Sequence, residues 1–208
     1  EAGLPDVAII RASLNGSSAA VGSIRASGAY PVGQGADGRL YAVAVDEGGS
    51  TLYADFSPHS MLAPGITRDW KLSPDGQRLA YIEADTSAGL RYLPRVIDLG
   101  AEVKGNVSAQ SAGVEGQALG VSWQPNSAAP LYGTEPSLSS DGGASAQSLV
   151  QEGFDVPLGF TADGGWLASQ HWTGQSFAEP GTPELQLISQ GGLRSIPGAT
   201  RFYGWARR

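Results

Sequence analysis

The chain has 208 residues, which is enough for one hydrophobic core or a ring of small ones without disulfides. It contains no cysteine, which excludes a thiol nucleophile, a cysteine-rich zinc site and a disulfide framework. The net charge of −7, with cations dispersed along the chain, argues against a nucleic-acid partner. Thirty Gly and 13 Pro favour many short strands joined by turns, and no apolar stretch is long enough to span a membrane. We therefore expect a single all-β domain over residues 1–208.

The first predicted element is a hairpin near the N-terminus. Its strands cover residues 7–14 and 19–24, and its turn is Asn15-Gly16. Asn-Gly adopts the positive φ angles of a tight turn at little steric cost. We interpret this hairpin as the third and fourth strands of a repeat.

One pattern then recurs four times: an apolar run, a tight turn and a second strand-like run. The turns lie at Asp37-Gly38, Asp75-Gly76, Pro125-Asn126 and Asp163-Gly164, and 38, 51 and 37 residues separate their Asp or Asn positions. A period near 40 with short strands around each turn is typical of β-propeller blades. We expect each turn to be a two-residue hairpin turn.

Each repeat is predicted to carry up to four strands, the first being innermost. Repeat one has strands at 30–33, 40–46, 51–56 and 61–66. Repeat two has strands at 69–72, 78–84, 91–99 and 106–109. Repeat three has strands at 118–123 and 130–134, followed by a Ser/Gly-rich segment, 137–148, that is poor in strand signal. Repeat four has strands at 156–161, 166–172, 184–189 and 193–196.

One position of the predicted first strand can be aligned across the repeats by its distance from the turn. Counting three residues back from the turn Asp or Asn gives Gln34, Leu72, Trp123 and Phe160, and the same count back from the last residue gives Trp205. We expect Trp123 to be buried between blades. The segment 201–207 is predicted to be a fifth first strand that lies beside the N-terminal hairpin and closes a five-bladed ring. The alternative is a fragment of a larger propeller.

The motif of repeat two supports a family resemblance. The residues from Leu72 to Ile82 (LSPDGQRLAYI), followed by Val96 to Gly100 (VIDLG), resemble the WD40-like repeat of TolB-type propellers, and the residues from Val7 to Gly16 resemble its third strand and turn. The resemblance implies a β-propeller of the bacterial envelope or periplasm that binds proteins or serves as an accessory domain, without catalytic residues. Because the chain begins with Glu rather than Met, we expect that its true start has been removed, together with any signal peptide or lipid anchor.

The chain contains few candidate catalytic residues. No nucleophile-elbow, phosphate-loop or HExxH motif is present, and two histidines are too few for a multi-histidine metal site, so we expect no metal and no cofactor. The carboxylates Asp69, Glu115 and Asp155 precede inner strands and are predicted to ring one mouth of the channel, with Arg68 and Arg201 as countercharges. Such a ring would suit a glycosidase or a binding site.

The remaining candidate binding residues are His171, Trp172 and Phe177, at a strand end and in the loop that follows it. The sequence favours a non-catalytic envelope propeller that holds a protein or a surface glycan on one face of the ring. Two alternatives remain: a glycan-processing enzyme that uses the axial carboxylates, and a structural accessory domain of a longer polypeptide. The sequence leaves the oligomeric state open.

Overall fold

The computed structural model describes residues 3–13, 15–100, 110–111, 120–125, 130–133, 138–139, 146–147, 153–174, 178–199, 201–202 and 204–205. Throughout this part of the chain the regular structure is antiparallel strand, so the all-β prediction is confirmed. A search of the same residues for a helix able to cross a membrane finds none.

The described strands form one hairpin followed by four four-stranded sheets, each in simple up-and-down order. The hairpin consists of β1 (Asp6–Ala12) and β2 (Ser18–Arg25). The first sheet contains β3 (Gly28–Gln34), β4 (Leu40–Asp46), β5 (Gly49–Ala54) and β6 (Ser57–Ala63). The second contains β7 (Thr67–Leu72), β8 (Arg78–Asp85), β9 (Arg91–Asp98) and β10 (Gln110–Ser111). The third contains β11 (Gly120–Trp123), β12 (Pro130–Gly133), β13 (Leu138–Ser139) and β14 (Ala146–Gln147). The fourth contains β15 (Phe154–Phe160), β16 (Leu167–Trp172), β17 (Pro183–Ser189) and β18 (Gly192–Ile196).

The four predicted repeats therefore correspond to the four sheets. Two details differ from the prediction. The segment 137–148 carries two short strands, β13 and β14, although its Ser/Gly-rich sequence gives little strand signal. The last strand of repeat two is found at Gln110–Ser111, and the predicted range 106–109 lies outside the described residues.

The first strands of successive sheets lie side by side, so we call β3, β7, β11 and β15 the inner strands. The indole N–H of Trp123 on β11 donates to the carbonyl of Lys71 on β7, at 2.9 Å. A Cβ on Gly33 of β3 would lie 3.0 Å from Leu72 of β7. Gln34, Leu72, Trp123 and Phe160, predicted to be equivalent, are the last residues of the four inner strands.

The core lies between the sheets, because the second strands are buried on both faces. On β8, Leu79 and Tyr81 pack against the first sheet, and Ala80 and Ile82 pack against the third. All four are fully buried. On β4, alternate residues pack in the same way between the N-terminal hairpin and the second sheet. Because successive side chains point to opposite faces of a strand, these strands pack against both neighbouring sheets.

The recurring turns share one hydrogen-bond pattern, but the described copies are five or six residues long rather than two. In the loop 73–77, Gly76 N–H donates to the carbonyl of Ser73 at 2.8 Å, and Asp75 Oδ1 accepts from Gln77 N–H at 3.1 Å. The same pattern occurs around Asn15, Asp37 and Asp163. The prediction of two-residue turns is wrong for these loops because the Asx side chain turns the chain by accepting from the N–H two residues on.

The C-terminal segment does not behave as predicted. Arg201, Phe202, Gly204 and Trp205 are not in a strand, and the described residues of β1 pair with β2 alone. Gly204 has a φ of 124°, which interrupts an extended backbone. Trp205 instead donates its indole N–H to the carbonyl of Gly159 on β15, at 3.1 Å. The predicted pairing of 201–207 with the hairpin is therefore corrected for these residues, and residues 203 and 206–207 lie outside the described part.

Candidate functional site

The inner strands present two distinct ends. We call the end at which they begin the start end, and the end at which they enter the shared turns the turn end. Three inner strands, β3, β7 and β15, carry a β-bulge against the second strand of their sheet. A bulge bends a strand and redirects its side chains, so it can bring polar groups out of a packed sheet.

At the start end, Asp69 occupies the bulge of β7. Its φ is 58°, which is uncommon for a residue other than glycine, and Asp tolerates it better than most residues. Its carboxylate pairs with the guanidinium of Arg68, and both side chains are about one third exposed, at 39% and 32%. The guanidinium of Arg68 also lies 4.7 Å from the centre of the Tyr92 ring. The bulge therefore holds a charged pair at the surface over an aromatic ring.

The residue that follows Asp69, Trp70, stacks on an aromatic ring of the neighbouring sheet. Tyr30 of β3 and Trp70 of β7 stack with centroids 5.2 Å apart and an interplanar angle of 28°. Tyr30 is 48% exposed, and Trp70 is partly buried with its indole N–H donating to Thr67 Oγ1 at 2.8 Å. Tyr30, Trp70 and Tyr92 are not among the site residues predicted from the sequence. Their proximity depends on sheet-to-sheet packing, which no local motif signals.

Asp155 lies inside the fourth sheet instead of at the mouth. It is 2% exposed, and its Oδ1 accepts a hydrogen bond from Ser169 Oγ at 2.9 Å. His171, which is opposite Asp155 in the β15–β16 register, places Nδ1 3.5 Å from the same oxygen. Burial raises the pKa of Asp155, against the opposing effects of Ser169 and His171. The predicted trio of axial carboxylates is thus not assembled from Asp69 and Asp155.

The other predicted site residues fall in three settings. His171 is buried, and its Nδ1 has no hydrogen-bond partner among the described residues, so it is not the rim residue expected. Trp172 is partly buried and stacks on Phe154, with centroids 6.3 Å apart. Arg201 is exposed. Glu115 and Phe177 lie outside the described residues.

At the turn end, the equivalent inner-strand positions meet around a cavity of about 390 Å³. Its lining includes the predicted positions Leu72, Trp123, Phe160 and Trp205. Phe202 adds a fifth apolar wall and packs edge-to-face on Trp205, with centroids 5.4 Å apart. The count that identified these positions as equivalent therefore also identified most of a cavity, although the sequence predicted only that Trp123 is buried between blades.

A search of the described residues for metal sites finds no group of three His, Asp or Glu side chains able to hold an ion. The described polar groups at the start end include the carboxylate of Asp69, the guanidinium of Arg68 and the hydroxyl of Tyr30. Such a set can recognise a polar ligand by hydrogen bonding and stacking.

No known family model and no curated protein sequence matches the chain. Among solved structures, TolB from Acinetobacter baumannii matches with a TM-score of 0.60 at 15% identity, over 88% of this chain and 47% of that one. A TolB from Agrobacterium tumefaciens matches with a TM-score of 0.60 at 16% identity, over 88% of this chain and 66% of that one. The chain has the fold of a TolB-type β-propeller.

A prolyl endopeptidase structure shares this fold more distantly, with a TM-score of 0.52 at 16% identity, over 81% of this chain and 29% of that one. The chain spans between about half and two thirds of the two TolB chains. In the TolB-type fold, each four-stranded sheet is a blade and the inner strands face the axis. The start end and the turn end therefore lie at opposite ends of that axis.

Proposed function

We propose that this chain is a non-catalytic binding propeller of the bacterial cell envelope that holds a protein or a surface glycan at the start end of its inner strands. The observation that supports this most is the arrangement around Asp69. A left-handed backbone at a bulge holds a partly exposed carboxylate and guanidinium, the guanidinium lies over the Tyr92 ring, and the next residue, Trp70, stacks on the exposed Tyr30. Unusual backbone geometry at an exposed polar site often marks a binding role.

The chemistry of these groups suits recognition. An Arg–carboxylate pair offers both donors and acceptors, and partly exposed aromatic rings supply rigid contact area that loses little entropy on binding. Surface sugars and polar peptide segments both use such contacts. The envelope location follows from the resemblance of the repeat motif to TolB-type propellers.

A glycan-processing enzyme is the alternative function. It would require two carboxylates flanking a sugar across an open cleft. Asp155 is buried and hydrogen-bonded to Ser169, so it does not face a cleft with Asp69. Among the described residues this favours binding over hydrolysis. A structural accessory domain of a longer protein is the third reading, since the chain spans only part of each TolB chain.

The test compares the intact domain with an Arg68→Gln/Asp69→Asn variant and a Tyr30→Ala variant, using a pull-down from envelope extract and a glycan array. Asp98→Asn, at the exposed end of β9, is the matched charge control. We expect a partner to be retained by the intact domain and by Asp98→Asn, and to be lost or weakened at least about tenfold in the other two. The retained molecule decides between protein and glycan.

Other results would contradict the proposal. Equal retention by all variants would move the binding surface away from the start end. Retention of nothing would favour the structural accessory domain. Cleavage of a retained glycan would show that the domain is catalytic.

A further inference from the structure

The cavity at the turn end is separate from the site of the proposed function, since it lies at the opposite ends of the inner strands. It has a volume of about 390 Å³. This falls within the range of roughly 300–1,000 Å³ that is usual for small-ligand pockets. Its walls come from the inner strands β7, β11 and β15 and from the C-terminal segment, so it exists only where these blades pack together.

The indole groups of the cavity have a common construction. Trp123 donates its indole N–H to the carbonyl of Lys71, which precedes Leu72 in the previous blade. Trp205 donates its indole N–H to the carbonyl of Gly159, which precedes Phe160 in the previous blade. Both N–H groups are thus satisfied within the protein. The indoles offer apolar ring surface, rather than free donors, to a ligand.

The apolar walls are accessible in different degrees. Trp123 is 6% exposed and forms the floor, covered on one side by the guanidinium of Arg78 at 4.9 Å. Leu72, Phe160 and Trp205 are only partly buried. An aromatic ring entering the cavity would therefore meet several aromatic partners at stacking or edge-to-face distance.

The cavity lining contains a positively charged residue, which favours ligands that carry a negative charge. Among the described residues that line the cavity, Lys71 is the one charged residue, and it is exposed at the rim. It is one of two lysines in a chain whose net charge is −7. A cation at an apolar cavity complements a ligand that carries an apolar group and an anionic group.

We propose that the turn-end cavity binds an aromatic group that carries an adjacent carboxylate. The ring occupies the space between Leu72, Phe160 and Trp205, and the carboxylate lies toward Lys71. The ligand can be a free aromatic acid or an aromatic residue at a peptide C-terminus, because both have this chemistry.

The test uses ligand-observed NMR titrations of the intact chain with N-acetyl-phenylalanine, its uncharged amide, and decanoate. We expect N-acetyl-phenylalanine to bind at least about fivefold more tightly than the amide. Lys71→Met should remove this preference while leaving binding of the amide unchanged. The matched control is Arg39→Met, which removes an exposed cation of the turn end outside the cavity lining and should leave the preference intact.

Two further comparisons test the aromatic part and the source of the ligand. Trp205→Ala should weaken N-acetyl-phenylalanine at least about fivefold, and Trp205→Phe should restore most of the affinity if the variant chain is folded by circular dichroism. A tetrapeptide ending in Phe with a free carboxylate should bind at least as tightly as N-acetyl-phenylalanine if the source is a peptide, and more weakly if it is a free acid.

The proposal is overturned by any of three results. The first is no saturable binding of N-acetyl-phenylalanine. The second is equal affinity for the acid and the amide. The third is tighter binding of decanoate than of the aromatic acid, which would assign the cavity to alkyl chains.

Discussion

At the level of single residues, two aspartates predicted for the same role have opposite environments. Asp69 lies in a bulge with a φ of 58° and keeps its carboxylate partly exposed beside Arg68. Asp155 lies one residue into its strand and is buried between Ser169 and His171. The difference comes from the neighbouring strand: the residue opposite Asp155 is a histidine in a buried register position, whereas Asp69 falls in a bulge, outside the regular β7–β8 register.

The buried carboxyl predicts a pH effect. A carboxyl whose pKa is raised by burial stabilises the fold below its unfolded-state pKa, and this contribution is lost as the pH rises through the folded-state value. Asp155→Asn stays neutral and still accepts from Ser169. Its free energy of unfolding, relative to that of the wild type, should therefore rise in urea titrations as the pH is raised above about 4, the unfolded-state pKa of Asp.

Asp163→Asn is the control of opposite sign for this experiment. The hydroxyl of Thr161 and the N–H of Gly165 lower the pKa of Asp163, so its contribution to stability is present at neutral pH and is lost as the pH falls. The free energy of unfolding of the wild type, relative to that of Asp163→Asn, should therefore rise as the pH rises. A pH-independent difference for Asp155→Asn would show that the buried carboxyl does not destabilise the fold.

Trp123 predicts a large effect of truncation. It is 6% exposed, lies between the second and third sheets, and donates to Lys71. Trp123→Ala should lower the free energy of unfolding by about 3–5 kcal/mol, because it leaves a cavity and an unpaired carbonyl. Trp166→Ala, at a half-buried position near Arg194, should cost less. A loss below about 1 kcal/mol for Trp123→Ala in urea unfolding would contradict its role in the core.

At the level of elements, the recurring turn has the same hydrogen bonds and backbone conformation in each described copy. Its Asp or Asn accepts from the N–H two residues on, and its Gly has a positive φ angle in all four described copies. The turns of neighbouring blades also contact each other, since Ala36 N–H donates to the carbonyl of Gly76 at 2.9 Å. A local sequence motif thus also contributes to blade-to-blade packing.

Substitutions of Gly38 and Gly76 can distinguish the local role of the turn from its role in blade-to-blade packing. Gly76 and Gly38 have φ angles of 67° and 80°, but a Cβ on Gly76 would lie 2.6 Å from the backbone N of Ala36, whereas one on Gly38 meets open space. Gly38→Ala should lower the free energy of unfolding by about 1–2 kcal/mol, from backbone strain alone. Gly76→Ala should cost at least about 1 kcal/mol more, because the neighbouring turn must move. Equal losses in urea unfolding would show that the turns do not support each other.

At the level of the whole molecule, adjacent sheets share their cores. The clusters run from the N-terminal hairpin through both faces of β4 and β8 to the third sheet, and a further cluster joins the third and fourth. No sheet buries its apolar faces alone. Such an arrangement couples the stability of each blade to that of its neighbours.

The C-terminal segment extends this packing to β15. Phe202 packs over Gly159, and Trp205 bonds to the carbonyl of the same residue. Deleting residues 201–208 should uncover this part of β15 and lower the Tm by at least about 4 °C, with earlier proteolysis of the fourth sheet. Trp205→Phe, which keeps the ring and removes the N–H, should lower it by less. An unchanged melting transition after the deletion would show that the segment contributes no packing.

Most of the strands, the turn positions and the repeat can be predicted from the sequence alone, whereas β13, β14 and the irregular C-terminal segment cannot. Alternation of apolar residues and Asx-Gly turns are local signals, so a count from each turn is enough to place Gln34, Leu72, Trp123 and Phe160 at the ends of the inner strands. The propeller fold followed from that period and from the resemblance of repeat two.

Only the tertiary structure decided which of these side chains are available to a ligand. Tyr30 and Trp70 meet across two sheets, Asp155 and His171 face inward across one strand pair, and Trp205 reaches the previous blade without forming a strand. Each outcome depends on a bulge, a register or a sheet-to-sheet contact between residues far apart in the chain. The alternation of apolar residues in the sequence does not predict such contacts. It indicates which face of a strand a residue occupies, and not what lies opposite that face.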